Sequence, residues 1–124
     1  MPGEPILVVD DNPMNLKLTR ILLTGEGYQV RVARDSREAL EALETFHPRL
    51  ILMDLQLPGV DGLQLTRQLK SDPATRDVPI LALTACAMRG DEQRAYQAGC
   101  DGYISKPIDT RRMPEVIRSY IEGS

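Results

Sequence analysis

Three aspartates, a threonine and a lysine occupy comparable places in this sequence, each at or just past the end of a short run. Asp10 and Asp11 follow Ile6-Leu7-Val8-Val9, and Asp54 follows Leu50-Ile51-Leu52-Met53. Thr84 follows Ile80-Leu81-Ala82-Leu83, and Lys106 lies just past Gly102-Tyr103-Ile104-Ser105. Taken singly, each has an ordinary explanation: a turn and helix cap, a strand-ending turn residue, a strand former, a solvated amine. Brought together they would put three carboxylates, one hydroxyl and one ammonium on a single rim. Three like charges within a few ångströms repel by several kcal/mol at an effective dielectric near ~20. A hard, oxygen-seeking cation relieves that repulsion, and Mg2+ typically takes one or two carboxylates, waters and a phosphate oxygen.

The elements that must position these groups follow from the spacing of apolar residues. The runs 6–9, 50–53 and 80–83 are nearly continuous and too short for helices, as strands covered on both faces of a parallel sheet would be. Between Tyr28 and Ala33 the pattern alternates, with Val30 and Val32 against Gln29 and Arg31, which suits a half-covered edge strand. Gly102 to Ser105 reads as a fifth strand, between a helix breaker and Pro107. Helical spacing fills the gaps. Asp11 or Asn12 can cap a helix with Pro13 in its first turn, Leu18 and Leu22 on its inward face, and Gly25 and Gly27 at its end. Asp35 with Glu38 resembles a capping box, opening a helix that buries Ala39, Leu40, Leu43 and Phe46 before Pro48. Further helices are expected from about Asp61 through Leu65 and Leu69, and from about Ala87 to Ala98. The last should run from near Asp109 with Met113, Val116, Ile117 and Ile121. Five strands alternating with five helices imply parallel strands, right-handed crossovers and a doubly wound three-layer α/β sandwich. Ligands of such a sandwich bind beyond the carboxyl ends of the strands, where the five residues cluster.

Composition removes other classes. A chain of 124 residues, 42% hydrophobic and 27% charged, is one ordinary globular domain. A formal charge of −3 with no basic block argues against direct nucleic-acid binding. Two cysteines, Cys86 and Cys100, make no disulfide framework and have no metal-ligand spacing. With no basic leader at the N-terminus and no apolar run approaching ~18 residues, a cytoplasmic location away from membranes is expected.

Four stretches now resemble the receiver domains of response regulators in two-component signalling. They are Val8-Val9-Asp10-Asp11-Asn12-Pro13-Met14-Asn15, the stretch from Leu52 to Gly62, Leu83-Thr84-Ala85, and Tyr103-Ile104-Ser105-Lys106-Pro107. The resemblance runs from about Pro5 to Ile121 and is closest to stand-alone regulators and to receivers of hybrid kinases. It implies one receiver domain over 1–124 with its core at about 5–121, and a flavodoxin-like fold with five parallel strands in the order 2-1-3-4-5. It also implies a phosphoacceptor switch rather than an enzyme with external substrates. Asp54 would be the nucleophile that takes a phosphoryl group from a phosphohistidine donor. Asp11, Asp54 and the backbone carbonyl of Gln56 would ligate Mg2+, or Mn2+ in its place, with Asp10 acting through water. Lys106 and Thr84 would contact the phosphoryl group, and Thr84 with Tyr103 would couple it to the face made by the fourth helix, fifth strand and fifth helix. That face would meet a downstream protein target. Gln56 and Cys86 would flank the water path that sets phosphoryl lifetime. His47, the only histidine, reads as a surface residue, so the donor must be another protein, a histidine kinase or a histidine phosphotransfer protein.

The first helix offers that donor a surface. It holds more apolar residues than one inward face can use, which leaves Met14, and Leu16 or Ile21, for the outside. Met14, Asn15 and the Lys106-Pro107-Ile108 loop are therefore expected to touch the donor.

Rival readings fit less well. A phosphatase of the haloacid-dehalogenase type would want a second aspartate two residues past Asp54, where Gln56 stands. A flavin binder would want a Ser/Thr/Gly-rich phosphate loop where Asp10-Asp11-Asn12 stands. A receiver-like module that is never phosphorylated would be expected to lose Asp54 or Lys106. The chain reads as a complete single-domain regulator, with a receiver excised from a hybrid histidine kinase as the alternative.

Overall fold

The computed structural model describes residues 3–54, 62–84, 91–105 and 111–122. The chain alternates strand and helix: β1 (Pro5–Val9), α1 (Pro13–Gly25), β2 (Gln29–Ala33), α2 (Ser36–Leu43) and β3 (Leu50–Asp54), followed by α3 (Gly62–Ser71), β4 (Ile80–Thr84), α4 (Asp91–Ala98), β5 (Gly102–Ser105) and α5 (Met113–Glu122). All strand pairs are parallel, in the order β2-β1-β3-β4-β5.

The continuous apolar runs make the three central strands because both of their faces are covered. Successive side chains point to opposite faces of a strand. Leu7, Val9, Ile51, Met53, Ile80 and Ala82 therefore pack with Ala39, Ala42, Leu65 and Leu69 on one side. Their neighbours Ile6, Val8, Leu50, Leu52, Leu81 and Leu83 pack with Leu16, Leu23, Met113, Ile117 and Ile121 on the other. So α2 and α3 cover one face, while α1 and α5 cover the opposite one. Each fully buried leucine or isoleucine contributes about 1.5–3 kcal/mol of transfer free energy. The alternating strand β2 lies at the sheet edge, half covered, as its pattern predicts.

Capping sets the phase of two helices. Asn12 caps α1, its side-chain oxygen accepting from the amides of Met14 at 2.9 Å and Asn15 at 3.3 Å, with Pro13 in the first turn. From that start the inward residues are Leu16, Thr19 and Leu23. Leu18, expected in the core, is 39% exposed, because at about 100° per residue it lies on the far side of the helix from Leu16. Leu22 is half-buried against the α1–α5 side of the core, and Leu16 is buried rather than left outside. Asp35 caps α2 by accepting from Glu38 N at 2.8 Å, while Glu38 reaches back to Arg34 N at 2.8 Å. Ala39 and Ala42 face inward there, Leu43 and Phe46 pack at the margin, and Leu40 turns outward, contrary to expectation.

The last helix begins at Met113, later than the sequence suggests. Arg111 and Arg112 form a turn, and a helical bond runs from Val116 N to Arg112 O at 3.0 Å. Pro114 fits this first turn because its missing N–H would have no intrahelical partner there. Residues 87–90, 109 and 110, also expected to be helical, lie outside the described residues. Among the described residues no helix is long and apolar enough to cross a membrane.

Candidate functional site

Parallel pairing brings the strands' carboxyl ends to one edge of the sheet. Val9 pairs with Met53, so Asp10 and Asp54 each stand one step beyond that pair. Asp54 pairs with Leu83, and Thr84 follows. Thr84 pairs in turn with Ser105, the residue before Lys106. Four strands thus deliver their ends to a single rim, as the spacing of the apolar runs implied.

Three of the five expected residues meet there with described side chains. Asp10 and Asp54 are 1% and 3% exposed, Asp11 is exposed, and one carboxylate oxygen of each lies within 4.8 Å of one from each of the other two. Asp10 is fixed on two sides. Its N–H donates to Ala33 O at 3.0 Å, and its Oδ1 accepts from Asn12 N at 2.9 Å. The backbone of Asp54 is held by β3's pairing with β4, where Asp54 lies opposite Leu83. Two buried carboxylates with oxygens no more than 4.8 Å apart repel by roughly 3 kcal/mol or more at an effective dielectric near ~20. The donor set is all oxygen, anionic and clustered, with one exposed member open to the rim. That combination fits a hard divalent cation of the Mg2+ type better than a thiol- or imidazole-seeking metal.

The other expected residues divide. The backbone of Thr84 is at the rim, ending β4. Gln56, Cys86, Lys106, Pro107 and Ile108 lie outside the described residues. Tyr103 is half-buried and packs against the core on the α2–α3 side of the sheet. Met14 is 75% exposed and Asn15 half-buried, both in the first turn of α1 beside the rim. Ile21 is also exposed, two turns further along. His47 is on the surface, as expected.

One contributor was not assigned to the site from the sequence. The sequence offers Asn12 only as one of two candidate caps. In the fold it caps α1 with its side chain and fixes Asp10 with its backbone N–H. An aspartate two residues before an Asx-type cap carries that signal, since such side chains bond to the backbone just ahead of them.

Comparison with known proteins matches residues 6–118 to the family described as response regulator receiver domain. The chain is 48% identical over 118 residues to the polar-differentiation response regulator DivK of Brucella ovis, covering 95% of this chain and 96% of that one. The receiver domain of a sensor histidine kinase from Pseudomonas aeruginosa PAO1, which has a magnesium ion coordinated in its active site cleft, is 37% identical. It superposes with a TM-score of 0.89 over 98% of this chain and 99% of that chain. A putative response regulator from Chloroflexus aurantiacus reaches a TM-score of 0.93 at 29% identity, covering 97% of this chain and 98% of that one.

Proposed function

Because the chain belongs to the response regulator receiver family, the phosphoacceptor switch of two-component signalling, we propose that it carries its phosphoryl group on Asp54. One observation supports this above the rest. Asp54 is a buried carboxylate at the end of the central strand β3, within 4.8 Å of two further aspartate carboxylates. A carboxylate oxygen of Asp54 attacks phosphorus in line, the phosphorus–nitrogen bond of the donor histidine breaks, and the imidazole leaves with the bonding pair. The product is an acyl phosphate on Asp54.

Asp11, Asp54 and the carbonyl of Gln56 would hold Mg2+, or Mn2+ in its place, with Asp10 acting through water. When bound, that cation offsets the crowded negative charge of the aspartates and of the incoming phosphoryl oxygens. The chain's own contribution is alignment. Asn12 and Ala33 fix Asp10, and pairing with β4 holds the backbone of Asp54. Lys106 supplies a positive point charge to the phosphoryl oxygens. Thr84 donates its hydroxyl to one of them, and Tyr103 responds by turning inward. The α4–β5–α5 face is then read by a downstream protein.

The donor is a histidine kinase or a histidine phosphotransfer protein, docking over Met14, Asn15, Pro107 and Ile108. The whole of 1–124 acts as one domain in the cytoplasm, turns over no external substrate and touches neither nucleic acid nor membrane. The test is labelling with acetyl phosphate and Mg2+: the wild-type chain gains one acid-labile, hydroxylamine-sensitive group and Asp54→Asn gains none. Equal labelling of that variant would overturn the assignment.

A further inference from the structure

At the opposite end of the sheet from the aspartates, one residue ties three layers together. Asp101 immediately precedes β5, and its N–H donates to Ile80 O at 2.8 Å. Its Oδ2 accepts from Ile80 N at 2.8 Å and from Lys70 Nζ at 2.9 Å. Its carbonyl accepts from the hydroxyl of Tyr120 on α5 at 3.3 Å. Lys70 also donates to Arg76 O at 3.1 Å and Val78 O at 2.9 Å, in the segment leading into β4. An ammonium has three protons, and here three carbonyl or carboxylate acceptors surround it. The surroundings are shaped for this contact. Gly99 has φ +111, and a Cβ there would come within 2.8 Å of Lys70 Cγ. A side chain at Gly102 would collide with the Tyr120 hydroxyl.

The strand so anchored needs an anchor. β5 has four residues, stands at the sheet edge and pairs only with β4. Short one-sided elements open at lower free energy than central strands. Yet this strand carries Tyr103, sets Ser105 opposite Thr84 and leads directly into Lys106. We propose that Lys70 and Asp101 are positioning residues for phosphoryl acceptance. They hold the base of β5 in register with β4, so that its other end presents Tyr103 and the chain leading to Lys106 to the Asp54 rim. The inference rests on Asp54 as acceptor and Lys106 as its counter-charge.

Lys70→Met and Asp101→Asn are compared with the wild-type full chain well below its melting temperature. Asp101→Asn keeps a carbonyl oxygen for Ile80 N, which favours a folded product. Phosphoryl gain from acetyl phosphate at saturating Mg2+ should slow about tenfold in each, since small misplacements of an aligning group are costly. Mg2+ affinity by calorimetry should stay within about twofold, because Asp10, Asp11 and Asp54 stand on other strands. Amide hydrogen exchange should quicken in β5 and stay unchanged in β1 and β3. Wild-type acceptance rates in both variants would overturn the proposal. So would a parallel loss of Mg2+ affinity, or equal loss of protection in β1 and β3, since either means general loosening. If Lys70→Met yields no folded chain, Lys70→Arg carries the same expectations, because a planar fork cannot reproduce three tetrahedrally placed donors. Asp54→Asn runs alongside. Wild-type rates in the Lys70 and Asp101 variants beside an inert Asp54→Asn overturn the anchor alone, whereas labelling of Asp54→Asn overturns the reading beneath it.

Discussion

The backbone N–H of Asn12 donates to Oδ1 of Asp10 at 2.9 Å, while the Asn12 side chain caps α1. One residue thus joins the buried carboxylate of the rim to the helix that leaves it. The two bonds come from different parts of Asn12 and can be separated. Asn12→Ala removes the cap and keeps the N–H, so it should cost about 1 kcal/mol of stability by urea unfolding. Mg2+ affinity should change little by comparison. A large loss of affinity at unchanged stability would show that the side chain, not the backbone, serves the site.

The acidic cluster predicts metal binding without any phosphate. Mg2+ should raise the melting temperature through preferential binding to the folded chain. Asp11→Ala should weaken binding more than Asp10→Ala, because the exposed Asp11 is assigned a direct contact and Asp10 one through water. Unchanged binding in both variants by titration calorimetry would place the metal elsewhere.

Docking of the donor can be separated from chemistry at Met14, which is 75% exposed on the first turn of α1. Met14→Glu should leave labelling by acetyl phosphate intact. Transfer from a cognate phosphohistidine protein should fall tenfold or more, about 1.4 kcal/mol in the barrier. Parallel loss of both activities would indicate damage to the site, and loss of neither would move the docking surface away from Met14.

Much of this was legible in the residues, and the failures have physical causes. The runs 6–9, 50–53 and 80–83 are apolar at both odd and even positions and too short for helices, as strands buried on both faces are, so the central sheet and its rim could be read directly. Helix α1 was harder. Met14, Leu16, Leu18, Ile21, Leu22 and Leu23 offer two competing apolar faces, and the buried Thr19 gives no apolar signal. Only the cap at Asn12 and the sheet beneath decide the phase. Leu40 misled in the same way, since the smaller Ala39 and Ala42 take the inward places on α2 and Leu40 is left exposed. The Lys70–Asp101 contact joins residues 31 apart in sequence and follows no periodicity, so no local pattern could announce it.

Stability should depend on pH through Glu38. The Arg34 N–H, bonded to Oε1 at 2.8 Å, and the Arg34 guanidinium at 3.3 Å hold its carboxyl below the usual carboxylate range. A pKa lower in the folded than in the unfolded chain means that protonation favours unfolding. The contribution is therefore fully present above the ordinary glutamate value of about 4.3 and is lost as pH falls through the folded value. Glu38→Gln mimics the protonated acid, so the melting-temperature gap to wild type should be widest above about pH 5 and close on acidification. A gap that widens in acid would contradict this account.

The central claim is that Asp54 accepts the phosphoryl group. The most direct measurement phosphorylates the wild-type chain with acetyl phosphate and Mg2+, reduces the acyl phosphate with borohydride, and locates the product by peptide mass spectrometry. Borohydride converts a phosphorylated aspartate to homoserine, which marks the position covalently. The account predicts homoserine at position 54 and at no other aspartate. Homoserine at position 10 or 11, or a phosphoryl group that resists hydroxylamine and stays on a serine or threonine, would contradict it.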